Sequence, residues 1–129
     1  MPAADAARVT ADRLVDLDVE VIVHPRTYGV DGVQDWAWFV LNHPSGWVLV
    51  ARPRLVAPDA LFPRWLIPVE VAAKSHGDAL ALARRVDRIL RGTPRSPTAF
   101  ESQGDEDAGQ FGNGFKIRLS YVATLRHEE

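Results

Sequence analysis

A chain of 129 residues with 47% hydrophobic and 25% charged side chains has the composition of one ordinary globular domain, long enough to bury a core without staples. Its formal net charge of −2 is too near neutral for a protein that holds nucleic acid by releasing counterions from many phosphates. The absence of cysteine excludes disulfides, iron–sulfur clusters and thiolate zinc sites.

The opening Met1-Pro2-Ala3-Ala4-Asp5 lacks the basic and apolar regions of a signal peptide, and no window approaches the ~18–20 consecutive apolar residues that cross a bilayer. The expectation is a soluble protein, made and used in a cytoplasm, with no membrane partner. From Ala3 to Leu17, the residues Ala6, Val9, Leu14 and Leu17 share one side at helical spacing and predict a short helix. Leu17 to Val23 alternates and is β-branched, a strand that His24-Pro25 ends. Tyr28 to Asp35, punctuated by Gly29 and Gly32, reads as a loop. Trp36–Asn42 and Trp47–Ala51 are strand-like runs joined by His43-Pro44-Ser45-Gly46, which predicts a hairpin.

Pro53, Pro58, Pro63 and Pro68 recur at five-residue intervals and argue for a loop bounded by strand ends rather than a long helix. Ile67, Val69, Val71 and Ala73 then alternate with more polar neighbours, which predicts a strand with Pro68 at its start or on a sheet edge. Ser75-His76-Gly77-Asp78 has the S-x-x-D form of a helix start. The helix that follows should bury Ala79, Leu82, Ala83, Val86, Ile89 and Leu90, and Gly92 with Pro94 should stop it. Thr93 to Asn113 is rich in Pro, Ser, Gly and acid, with only Phe100 and Phe111 as anchors. Residues 96–113 are therefore expected to form a mobile acidic loop. Phe115 to Arg126 reads as a long final strand, with Ile117, Leu119, Tyr121, Ala123 and Leu125 on one side, part of it projecting beyond the sheet.

No constellation carries catalytic chemistry. The histidines His24, His43, His76 and His127 belong to no metal-binding pattern, and no G-x-S-x-G elbow surrounds any serine. Gly109 to Gly114 lacks the strand, helix and Lys-Ser/Thr pair of a phosphate cradle. No enzyme activity, no metal and no cofactor is expected. The candidate contact residues are Arg84, Arg88, Arg91 and Arg95, which would line one helix face, and the acidic Glu101, Asp105, Glu106 and Asp107. A solvated helix face is the default reading of the arginines; the sharper one joins them to an acidic partner such as the Asp105–Asp107 segment of a neighbouring copy. Trp36 and Trp38 point to one side of their strand, for burial against helices or for a protein interface.

The elements in order predict one domain over residues 1–129 of class α+β, a mixed or mostly antiparallel sheet of about four to five strands covered by two helices. That order resembles the tail-terminator (tail completion) proteins of long-tailed bacteriophages, of the lambda-like type. Two local patterns carry the likeness. Ile67-Pro68-Val69-Glu70-Val71-Ala72-Ala73-Lys74-Ser75, running into a helix that ends at Ile89-Leu90, resembles the family's strand, turn and second helix. Phe115-Lys116-Ile117-Arg118-Leu119-Ser120-Tyr121-Val122-Ala123-Thr124-Leu125 resembles its last strand. The proline-spaced segment and the tryptophan cluster have no counterpart in that pattern.

The resemblance implies a structural virion protein that caps the tail tube as a ring of about six copies. Such a ring stops tube polymerisation and joins the tail to the head–neck connector protein, and DNA passes through its lumen without specific binding. Assembly would take place in the host cytoplasm, and an acidic loop turned to the lumen would repel the passing DNA backbone. Another head–tail connector or head-completion protein fits the same size and habit. A bacterial α+β ligand-binding or enzymatic domain, with Trp36, Trp38 and Trp65 around a pocket, is the alternative of a different class.

Overall fold

A computed structural model of the chain describes residues 3–17, 19–23, 46–56, 64–93, 96–98, 100–111 and 114–124. In chain order these form α1 (Ala3–Arg13), β1 (Glu20–Val23), β2 (Trp47–Val50), β3 (Arg54–Leu55), β4 (Arg64–Ala73), α2 (His76–Arg91), β5 (Gly92–Thr93), β6 (Ser96–Pro97), β7 (Phe100–Phe111) and β8 (Gly114–Thr124). The fold class is α+β, as the alternation and helix spacing predict. The main sheet runs β1-β2-β4-β8-β7, with β3 beside β4. β1 pairs with β2 in parallel, and the other pairs of this sheet are antiparallel.

Both helices cover one face of the sheet, α1 over β1, β2 and β4, and α2 over β4, β8 and β7. The core forms between. β4 contributes Trp65, Ile67, Val69, Val71 and Ala73, and β8 contributes Ile117, Leu119, Tyr121 and Ala123. Each set alternates along its strand because successive side chains leave opposite faces. α2 closes the core with Ala79, Leu82, Ala83, Val86 and Leu90, while Ile89 of the expected set is only half-buried. α1 is shorter than the Ala3–Leu17 helix expected, but turns after Arg13 keep Leu14 and Leu17 buried beside Ala6 and Ala7. The buried Thr10 is satisfied locally, its hydroxyl donating to the Ala6 carbonyl at 2.9 Å.

Three expectations are corrected. Pro68 lies inside β4, a central strand, rather than at its start or on an edge. Its carbonyl accepts from the Ala51 amide at 3.0 Å, so its missing N–H falls on that same side. There β4 exchanges β2, paired as far as Val69, for β3, paired from Leu66, so the ladder to β8 loses nothing. The acidic segment expected as a loop at 96–113 instead contains β7, a twelve-residue strand that pairs with β8. Its own apolar content is as poor as the sequence suggests. β8 supplies the hydrogen-bond ladder, and Phe100 anchors it at 2% exposure. Nor does β8 project from the sheet as far as Thr124, since it pairs with β4 from Phe115 to Thr124; Leu125 and Arg126 of the expected strand lie outside the described residues. The predicted loop at Tyr28–Asp35 and the strand Trp36–Asn42, and so the hairpin with its Trp36 and Trp38, lie outside the described residues.

Candidate functional site

α2 places the arginines. Ser75 is extended at its N-cap, and its hydroxyl accepts from the Asp78 amide at 3.1 Å, the bond expected of S-x-x-D. At the other end Gly92 takes φ 74°, which only glycine adopts at little cost, and its N–H closes on the Arg88 carbonyl. Between these caps, Arg84, Arg85, Arg88 and Arg91 fall on the exposed side. Arg95 lies outside the described residues. Arg91 differs from the others because its guanidinium Nε donates to both carboxylate oxygens of Asp87 at 2.9 Å.

Asp87 also joins the helix to the sheet. The Tyr121 hydroxyl donates to Asp87 Oδ1 at 2.8 Å. Burial first, and then this hydrogen bond and the carboxylate's charge, push the Tyr121 phenol well above its ordinary pKa. The Tyr121 ring meets Phe100 edge-on with centroids 6.4 Å apart, and the Arg13 guanidinium lies 5.1 Å from the Phe100 centroid. A chain of contacts therefore runs from the end of α1 through β7 and β8 to the last turn of α2.

The acidic residues do not form one cluster. β7 carries two bulges, between Ser102 and Asp105 and between Asp107 and Gly109, each adding one residue relative to β8. Ser102 stands opposite Tyr121 and Asp105 opposite Leu119, on the face that the helices cover. Glu101 and Glu106 leave the other face. There Glu101 pairs with Arg64 at 3.7 Å and Glu106 with Arg118 at 4.0 Å. Arg118 also reaches Glu70 at 3.2 Å, and Glu70 accepts Lys116 at 3.7 Å. Asp107 is opposite Ile117 in the ladder. The sequence resolved none of this division, because the face that each acid takes depends on the bulges.

Between α2 and the β7–β8 hairpin lies a cleft of about 290 Å³. Leu80, Ala83, Ile117 and Leu119 give it an apolar lining. Arg84, Asp87 and Arg91 stand on the helix side, and Ser102, Gly104 and Asp105 on the strand side. Gly104 has φ 114°, and its amide donates to the Ser102 hydroxyl at 3.2 Å, which fixes the bulge that shapes this wall. The cleft thus brings Arg84 and Arg91 to the same place as Asp105 of the same chain. Arg88 is exposed outside it.

Trp65, a candidate pocket residue, is instead buried in the core at 6% exposure. Among the described residues no three potential metal ligands cluster, and no helix is long and apolar enough to cross a membrane.

No family model matches the chain. No curated protein is similar to it in sequence. Among solved structures, it is similar to a chain in the virion of the native gene transfer agent (GTA) particle, with 14% identity, a TM-score of 0.59, and coverage of 94% of this chain and 92% of that one. At that identity the likeness is one of fold, and it extends over nearly the full length of both chains.

Proposed function

We propose that the chain is a structural protein of a phage-like virion, and within it a tail-terminator subunit. It closes the end of the tail tube as a ring of about six copies and presents the other ring face to the head–neck connector. The observation that carries the virion role is the near full-length fold likeness to a chain of the GTA particle. The tail-end position rests on the Ile67–Ser75 and Phe115–Leu125 patterns, whose described residues form β4 leading into α2, and β8. The protein works by contact, without catalysis, and DNA passes its ring unread. The acidic lumen loop is not part of this reading, because Glu101 and Glu106 are paired with Arg64 and Arg118 on the sheet.

Light scattering on the protein alone and with polymerising tail tubes tests the proposal. Expected are a ring-sized mass, binding at tube ends, and tubes that stop growing. A lasting monomer that ignores tubes would overturn it. The same fold likeness also fits a head-completion or adaptor protein, which would bind the connector and leave tube growth unchanged.

A further inference from the structure

We infer that the cleft between α2 and β7 receives the segment Leu125-Arg126-His127-Glu128-Glu129 of a neighbouring copy, linking subunits head to tail. This inference rests on the ring reading above. The segment follows β8 directly and lies beyond the described residues.

The cleft has a definite chemical pattern. Its lining is apolar through Leu80, Ala83, Ile117 and Leu119, while Arg84 stands on one wall and Asp105 on the other. Among the described residues neither Arg84 nor Asp105 has an ion-pair partner, in contrast to Arg91, which Asp87 holds. A fitting occupant carries an apolar anchor followed by both signs of charge within a few residues. Leu125, Arg126 and the Glu128-Glu129 pair have that order. Leu125 enters the lining, Arg126 meets Asp105, and the glutamates meet Arg84 and the exposed Arg88 outside the cleft.

Reach keeps the chain's own Leu125 out of the lining around Leu119. Leu119 lines the cleft, and Thr124, where β8 ends, is five residues further along an extended strand, about 17 Å away at ~3.3 Å per residue. Leu125 is one Cα step of ~3.8 Å beyond Thr124, so even folded straight back it stays roughly 13 Å short of Leu119. On the ring reading, the donor that brings Leu125 to that lining is a second copy. A contact between two different surfaces repeats around a ring if its rotation closes.

The cysteine-free chain gives a clean test. Ser102→Cys in the cleft wall and His127→Cys in the segment, combined in one full-length chain and oxidised gently, are expected to give a ladder of disulfide-linked chains on a non-reducing gel. Neither single variant should do so. Arg84→Glu, at an exposed position that leaves the core intact, should weaken assembly about tenfold at low salt, with recovery when Glu128 and Glu129 are both changed to Arg.

A ring-sized mass without the ladder would overturn this contact and leave the ring reading standing. A ladder from a protein that ignores tail tubes would support the contact and count against the tail-end function. A lasting monomer, or a disulfide formed only within one chain, would overturn the contact, and the lasting monomer would overturn the ring with it.

Discussion

Replacing Asp87 with Ala asks how much one carboxylate holds α2 to the sheet. The Tyr121 hydroxyl donates to it at 2.8 Å from a residue only 1% exposed, so the variant leaves a phenol without its acceptor. Orphaning a buried polar group costs about 1–3 kcal/mol. The Arg91 pair lost with it, whose guanidinium side chain is 53% exposed, adds only about 0.3–0.5 kcal/mol. The expected sum is about 1.3–3.5 kcal/mol, and in a domain of this size each kcal/mol lowers Tm by roughly 3–5 °C. Tyr121→Phe removes the donor together with its need for a partner and should cost about 1 kcal/mol. The double variant should then be less destabilised than the sum of the single ones, by about 1–2 kcal/mol. Urea unfolding followed by far-UV circular dichroism measures all three. If Asp87→Ala cost no more than Arg91→Ala, the Tyr121 bond would carry no stability and the account of the helix–sheet tie would fail.

Other variants probe the backbone and the titration of the same tie. Ser75→Ala should cost about 1 kcal/mol by removing the acceptor of the Asp78 amide, whereas Ser75→Gly should cost only a few tenths, as read in the same urea experiment. Gly46→Ala forces φ 103° on a side-chain residue and sets its Cβ 2.6 Å from the Ala72 carbonyl oxygen and 2.8 Å from Leu82 Cδ2. A loss of about 2 kcal/mol or more is expected, and a neutral result would contradict this backbone course. Tyr121 keeps its proton in the folded state at pH values where the unfolded chain releases it, because its folded pKa is raised. Stability from this group is therefore complete below about pH 10 and falls above it by up to about 1.4 kcal/mol per pH unit, and Tyr121→Phe should flatten that fall in alkaline urea titrations.

The sequence is most readable where the forces are local. α2 is bounded by a hydroxyl three residues from the amide it accepts and by a glycine at positive φ, both visible as residue types in fixed positions. The inward sides of β4 and β8 follow from alternation, which survives in any register that buries one face. β7 is different. Gly104, Asp105, Glu106 and Asp107 have low strand propensity, and the segment is a strand because β8 offers it a partner edge. That dependence leaves no trace in the segment itself. Pro68 misleads for a related reason, since a missing donor excludes a central strand only when both neighbours require it, and here one side is the junction of two short strands. The Asp87–Tyr121 bond spans 34 residues of sequence, and only the spacing of Asp87 to Arg91 hints that the carboxylate is engaged.

Among the described residues β7 is the edge of the sheet, and that position also constrains how copies of the chain can meet. A long edge strand normally offers unpaired N–H and C=O groups to another sheet, which would extend without limit rather than close. Here two bulges break the run, and Glu101 and Glu106, with side chains 70% and 71% exposed, place charge along it. Two such strands brought together would oppose like charges across a broken ladder, at a cost in both hydrogen bonding and repulsion. Association through side chains beside the edge avoids that cost. The bulge at Gly104 shapes the strand-side wall of the cleft that α2 faces, so the device that blunts the edge also forms the surface on which a discrete contact can be made. On the tail-end reading proposed above that arrangement is useful, because a contact fitted to one segment of a neighbour has a fixed direction and rotation, whereas a free strand edge has neither.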